Sequence, residues 1–230
     1  MLFRSMIFTA GKLPAGLIVL LNKHFGQLPL GNNFKIPVNA ISSVQKPGEK
    51  IRVTNDENGL QGSIRIARPF PNRHHPDFQK TMMLNSIFGG YFGSRLMANI
   101  REEKGYTYGI HSAIQNHIQC SGWLIGTEAG KDVCDAAIAE VYKEMKRLQD
   151  EPVGEDELLL VRNYMMGSIL GDLDGPFQII ARWKNYILNN LDEKFFYSSI
   201  ENIRTVSAED LQQLAKKYLN PEEFYELVVV

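Results

Sequence analysis

The stretch that most constrains the fold runs from Phe88 to Tyr108: Phe-Gly-Gly-Tyr-Phe-Gly-Ser-Arg-Leu-Met-Ala-Asn-Ile-Arg-Glu-Glu-Lys-Gly-Tyr-Thr-Tyr. Gly89, Gly90 and Gly93 concentrate backbone without Cβ atoms at one place, so the chain can turn there and approach other elements closely. Ser94 suits an N-cap, and the helix behind it is expected to reach Lys104. Gly105 stands where a left-handed C-cap residue belongs, and Tyr106, Thr107 and Tyr108 begin a strand directly after it. Arg101 and Tyr108 are thereby placed on either side of one sharp reversal.

Periodicity and turn chemistry extend this block in both directions. An opening strand is expected over Phe3–Ala10 and a helix over Pro14–Phe25, with Pro14 in its first turn and Gly26 as its stop. Gln27–Glu49 is rich in Pro, Asn, Ser and Gly and reads as a long surface connection. Lys50–Asn55 and Gln61–Pro69 read as strands joined by a hairpin-type turn at Asn58-Gly59. Phe78, Met82, Met83 and Ile87 recur at helical spacing up to Gly89. Strands over Tyr106–Ile114 and Ile118–Glu128 form an antiparallel pair linked near Gln115-Asn116. Val133, Ala137, Val141, Met145 and Leu148 mark one face of a helix ending before Pro152. Helices follow over Glu155–Ile169, Pro176–Asn189, Glu193–Ile203 and Ala208–Leu219, the last with a capping arrangement at Ser207–Asp210. Tyr225–Val230 closes as a strand beside the first. The sum is an α+β domain, a mostly antiparallel sheet packed against helices, and a single domain is expected over 1–230.

Charge excludes some partners. Lys plus Arg number 25 against 26 Asp plus Glu, so no overall field draws the chain to nucleic acid or an acidic membrane surface. The apolar run Gly16–Leu21 is far shorter than the roughly 20 residues needed to span a bilayer. Met1–Thr9 lacks the apolar core and cleavage site of a signal peptide. Cys120 and Cys134 form no Cys-x-x-Cys motif and read as reduced residues, leaving the compartment open.

The histidines are His24, His74, His75, His111 and His117, none within His-x-x-Glu-His or its inverse. Catalytic zinc takes about three convergent protein ligands and an open position, so no metal site is expected here. A different class, a metal enzyme using His74, His75 and Asp77, stays open, although Pro76 disfavours both histidines on one helical face. The glycine loop could cradle phosphate, but it follows a helix and lacks the Gly-Lys-Ser/Thr ending of a P-loop. By spacing alone, Arg101 complements a helix C-terminus and Tyr108 is an ordinary strand aromatic.

Gly89-Gly90, Gly93-Ser94-Arg95-Leu96, Ile100-Arg101-Glu102, Lys104-Gly105 and Tyr108, in this order and spacing, resemble the C-terminal domain of the zinc-less half of M16 (insulinase or pitrilysin type) metallopeptidases, and nearly the whole chain fits the resemblance. The resemblance implies a non-catalytic domain, a fragment of a longer chain, inactive alone. Its zinc-bearing partner half lies in the same polypeptide or a separate subunit, and zinc belongs to that half, with no cofactor in this chain. Arg101 and Tyr108 match the family's Arg and Tyr seven apart. The phenol would donate to the oxygen on which charge grows in peptide hydrolysis, and the guanidinium would hold a peptide carbonyl or carboxylate. Gly89, Gly90, Tyr91, Phe92 and Gly93 would meet the peptide substrate, and Gly62–Ala67, if at a sheet edge, would add it as a strand. The alternative is a structural or interaction domain of the same ancestry with no part in hydrolysis.

Overall fold

Residues 61–70 alternate in burial, with Gly62, Ile64, Ile66 and Phe70 turned inward, and this segment becomes the middle of the sheet. The computed structural model describes residues 6–27, 48–118 and 120–230. Within them β1 (Lys50–Val53), β2 (Gln61–Phe70), β3 (Thr107–Asn116), β4 (Ser121–Gly130) and β5 (Tyr225–Val229) form one sheet in the order β1-β5-β2-β4-β3. The β1–β5 pair is parallel and the other pairs are antiparallel. The α-helices are α1 (Leu17–Phe25), α2 (Phe78–Asn85), α3 (Cys134–Asp150), α4 (Glu155–Gly171), α5 (Pro176–Leu188), α6 (Glu193–Thr205) and α7 (Ala208–Tyr218). This is the α+β architecture expected from the pattern of strands and helices.

Two compact units divide the chain. One comprises residues 44–167 and 193–230 and contains the sheet; the other takes 1–43 and 168–192. In the first, Ile64, Ile66, Ile110, Trp123, Ile125 and Val228 line the inner face of the sheet, while Ala137, Val141, Met145 and Leu148 of α3 and Leu211 and Ala215 of α7 belong to the same core. Burying each large aliphatic or aromatic side chain stabilises by about 1.5–3 kcal/mol. The Ser207 and Asp210 reciprocal cap starts α7 as expected. Trp123 meets Phe70 edge-on at 5.6 Å, and Phe70 meets Tyr218 at 5.0 Å, tying sheet to α7. In the second unit α1 buries no side chain, and Arg182 of α5 pairs with Asp172.

Several expectations are corrected. Lys50–Val53 and Gln61–Phe70 form no hairpin, because β5 lies between them. The local turn does form, with Gly59 N–H on the Asp56 carbonyl and Asn58 N–H on the Asp56 carboxylate. Long-range pairing overrides it: buried Glu226 of β5 faces Lys50 at 3.5 Å and Arg52 at 3.4 Å and accepts a hydrogen bond from Tyr142 at 3.1 Å. Gly62–Ala67 is not at an edge, since β4 and β5 occupy both its sides, so it cannot accept a peptide strand. The closing strand pairs with β1 and β2 rather than with an opening strand; residues 6–10 hold none, and 1–5 lie outside the described residues. Most of the Gln27–Glu49 connection, residues 28–47, also lies outside them. β3 runs through Asn116, and the reversal comes later, where His117 N–H meets the Cys120 carbonyl at 2.9 Å.

Candidate functional site

The glycine block is built on two π-helical segments, a feature with no signature in the residues themselves. α2 widens into one over Ser86–Gly90, kinked at Gly89, whose backbone is non-helical (φ −161°), and the helix carrying Arg101 is π over Met97–Glu103, where Lys104 N–H reaches the Asn99 carbonyl at 2.9 Å. Such wider turns frequently accompany functional sites. Gly105 is left-handed (φ +67°) as expected, and Tyr106 N–H returns to the Ile100 carbonyl at 3.0 Å, closing the helix. Ser94 starts the helix with its carbonyl, which accepts from Ala98 N–H at 2.9 Å, but its buried hydroxyl caps nothing and finds no partner among the described residues. The expected side-chain cap is therefore absent.

These segments cover one side of β3. Asn85 Nδ2 donates to the Ser112 carbonyl (3.1 Å), Ser112 Oγ donates to Asn85 Oδ1 (2.7 Å), and Trp123 Nε1 donates to Ser112 Oγ (2.7 Å), all buried. Ile110 N–H points to Met97 Sδ at 3.4 Å. A Cβ on Gly89 would stand 2.7 Å from Ser112 Cβ and 2.8 Å from Leu96 Cδ1, so only glycine lets the loop come this near the strand. Gly90 lies beside Asn85, where a Cβ would meet the backbone oxygen at 3.0 Å, and Gly93 lies against the Tyr91 ring.

The loop aromatics part company. Tyr91 stacks on Tyr164 of α4 at 4.6 Å, and burial, then the nearby Glu157 carboxylate, push its phenol above the ordinary value. Phe92 is 65% exposed, and the Arg101 guanidinium lies over its ring at 4.7 Å from the centroid. Such a contact contributes about 0.5–1 kcal/mol at an exposed site. Arg101 also stands 3.5 Å from Glu102. Tyr108 is 95% exposed, its ring carried outward at the start of β3. The structure thus joins Phe92 to Arg101, takes Tyr91 into packing, and leaves Tyr108 presented alone.

Sequence reasoning missed the groups that anchor this platform. Arg95 forms a bidentate pair with Glu157 at 2.9 and 2.8 Å. Burial alone lowers the Arg95 pKa, yet the hydrogen bonds and charge of Glu157 outweigh it and hold the guanidinium charged. Asn99 donates to Glu140 (2.9 Å) and to buried Glu144 (2.8 Å) of α3. These partners lie 41 to 62 residues away, and no local motif marks them.

Among the described residues no three His, Cys, Asp or Glu side chains converge to hold a metal. His74 is exposed, His75 Nδ1 accepts from Asp77 N–H at 3.2 Å, and the Asp77 carboxylate is engaged by Lys217 (2.6 Å) and Tyr218 (2.7 Å). The Asp77 carboxylate, one of the three groups considered for a metal there, is thus already bonded to α7. No helix among the described residues is long and apolar enough to cross a membrane.

Residues 4–165 match the family model for the peptidase M16 inactive domain. An uncharacterized zinc protease of Mycobacterium tuberculosis is 21% identical over 227 residues, covering 94% of this chain and 50% of that protein. A Helicobacter pylori protein called non-peptidase homolog YmxG is 23% identical over 204 residues, covering 86% of this chain and 45% of its own length. The crystal structure of a Helicobacter pylori protease superposes with a TM-score of 0.85 at 15% identity, covering 96% of this chain and 54% of that one. The chain spans about half the length of the curated relatives it matches. With the family model matching most of the chain and the fold shared with a protease, this chain belongs to the peptidase M16 family, to the type called its inactive domain.

Proposed function

We propose that this domain helps enclose an extended peptide and lends Arg101 and Tyr108 to a zinc site carried by another domain or subunit. The observation that carries the reading is a guanidinium seated on the exposed Phe92 and an outward phenol at the start of the strand that follows, in a domain whose described residues gather no metal ligands of their own. The phenol can donate to a peptide carbonyl oxygen as negative charge develops, and the guanidinium can bind a carbonyl or carboxylate with its planar fork. Phe92, beneath the Arg101 guanidinium, and the exposed Gly90 and Gly93 form the peptide-facing rim. The half-length match to zinc proteases supports a zinc-bearing partner half.

The test is peptidase activity of the chain alone and mixed with a zinc-bearing M16 half, with Tyr108→Phe and Arg101→Ala beside it. Activity is expected only in the mixture, lowered on the order of 10-fold or more by each substitution. Equal activity of wild type and both variants in a working mixture would overturn the assignment. A second reading, a scaffold with no part in hydrolysis, is favoured by the Helicobacter relative called a non-peptidase homolog. It predicts that the mixture is indifferent to Tyr108→Phe, while disruption of Gly89 prevents association.

A further inference from the structure

An unbroken β3 would bury Tyr108. Ile110, Ser112 and Ile114 all face the core, and the period of two along a strand assigns residue 108 to that same face. Tyr108 is instead almost wholly exposed. The register supplies the reason: Thr107 lies opposite Ala129 and Ile110 opposite Thr127, so Tyr108 and Gly109 together face the single residue Glu128. This is a β-bulge, and the extra residue reverses the phase, bringing Tyr108 to the side of Glu128.

Two hydroxyls hold the bulge. Thr107 Oγ1 donates to the Glu128 carbonyl at 2.6 Å and accepts from Gly109 N–H at 3.1 Å. Buried Thr127 Oγ1 lies 2.9 Å from the Gly109 carbonyl and 2.8 Å from Thr107 Oγ1, and donates between them. A bulge leaves the backbone groups of its extra residue outside the ladder, and here side-chain oxygens take them up. We infer that Thr107 and Thr127 are positioning residues whose hydroxyls keep β3 in the bulged register that carries the Tyr108 phenol out of the core. The consequence for peptide chemistry rests on the function proposed above; the register itself does not.

Valine keeps the shape of threonine and removes the hydroxyl, while serine keeps the hydroxyl. The experiment is nitration of the purified chain with tetranitromethane, with Tyr108 read against Tyr197, which is 64% exposed on α6, by peptide mass spectrometry. Thr107→Val and Thr127→Val are expected to lower the Tyr108 to Tyr197 ratio severalfold, and Thr107→Ser and Thr127→Ser to preserve it. Folded valine variants with the wild-type ratio would overturn the inference. Should Thr127→Val fail to fold, Thr107→Val, at a half-buried position, decides. In the peptidase mixture, valine at either position is expected to lower kcat with KM unchanged, and to cost nothing further in a Tyr108→Phe background. A Tyr108→Phe variant of full activity refutes the proposed function while leaving the nitration result to judge the bulge.

Discussion

The two edges of the sheet are closed by different physics. At one edge, all four residues of β1 are exposed, and the strand is fastened by charge: Lys50 and Arg52 converge on buried Glu226, which also receives the Tyr142 hydroxyl. At the other, β3 is covered by the π turns, its Ser112 groups bonded to Asn85 and Trp123, and Tyr108 is turned outward beyond the covered part. Open strand edges invite unwanted pairing, and charge and coverage are two ways of blunting them. The candidate site lies at the covered edge, where Arg101 is seated on Phe92. An edge held by exposed charges is expected to give way gradually; one held by a buried neutral network, abruptly.

Asn85→Ala probes that contrast most severely. It removes the acceptor for the Ser112 hydroxyl proton and the donor to the Ser112 carbonyl in the core, leaving Trp123 Nε1 on the hydroxyl oxygen, and a loss of about 3 kcal/mol in urea unfolding is expected, at about 1–3 kcal/mol for each buried group left unpaired. A loss no larger than that of a surface substitution would mean that coverage by the loop, not the network, closes this edge. Tyr142→Phe is the middle case, with a loss of about 1.5 kcal/mol expected at neutral pH for a hydrogen bond to a charged acceptor. Burial first, and then Glu226, push the Tyr142 phenol above its ordinary value near 10. A phenol whose pKa rises on folding stabilises the fold fully below the unfolded value and loses that contribution as pH climbs through the folded one. The stability gap between wild type and Tyr142→Phe should therefore narrow above about pH 10. A gap independent of pH would separate Tyr142 from the charge cluster. Lys50→Ala gives the smallest effect, under about 0.5 kcal/mol, since its ammonium is mostly solvated and its attraction to Glu226 is screened. Thermal melts in low and high salt check it, and a larger, salt-insensitive loss would make β1 as tightly held as β3.

Much of the covered edge was legible before any coordinates. Gly105 could be assigned to a left-handed cap because residue type and position after a helix leave few alternatives, and the Ser207–Asp210 cap was equally local. Val133, Ala137, Val141, Met145 and Leu148 marked the inner face of α3, and all but the half-buried Val133 are buried in the core. Arg101 and Tyr108 were reached through the order and spacing of a family pattern, which names residues but not how they are held. The hairpin expected at Asn58-Gly59 failed because a local turn does not determine which strand comes to lie beside β1. The anchors Arg95–Glu157, Tyr91–Tyr164 and Asn99–Glu144 were invisible for the same reason, each joining groups far apart along the chain.

The sequence by itself determined the α+β class, most element positions, the reversal at Gly105 and the resemblance that singles out Arg101 and Tyr108. Tertiary structure alone decided that β2 is central, that Tyr91 packs while Phe92 stays exposed beneath Arg101, and that Tyr108 leaves the core through a bulge opposite Glu128. Local propensity and capping act within a few residues and are written in short stretches of chain. Register and edge coverage depend on which distant strand and helix meet, where a shift of one residue exchanges the inner face for the outer.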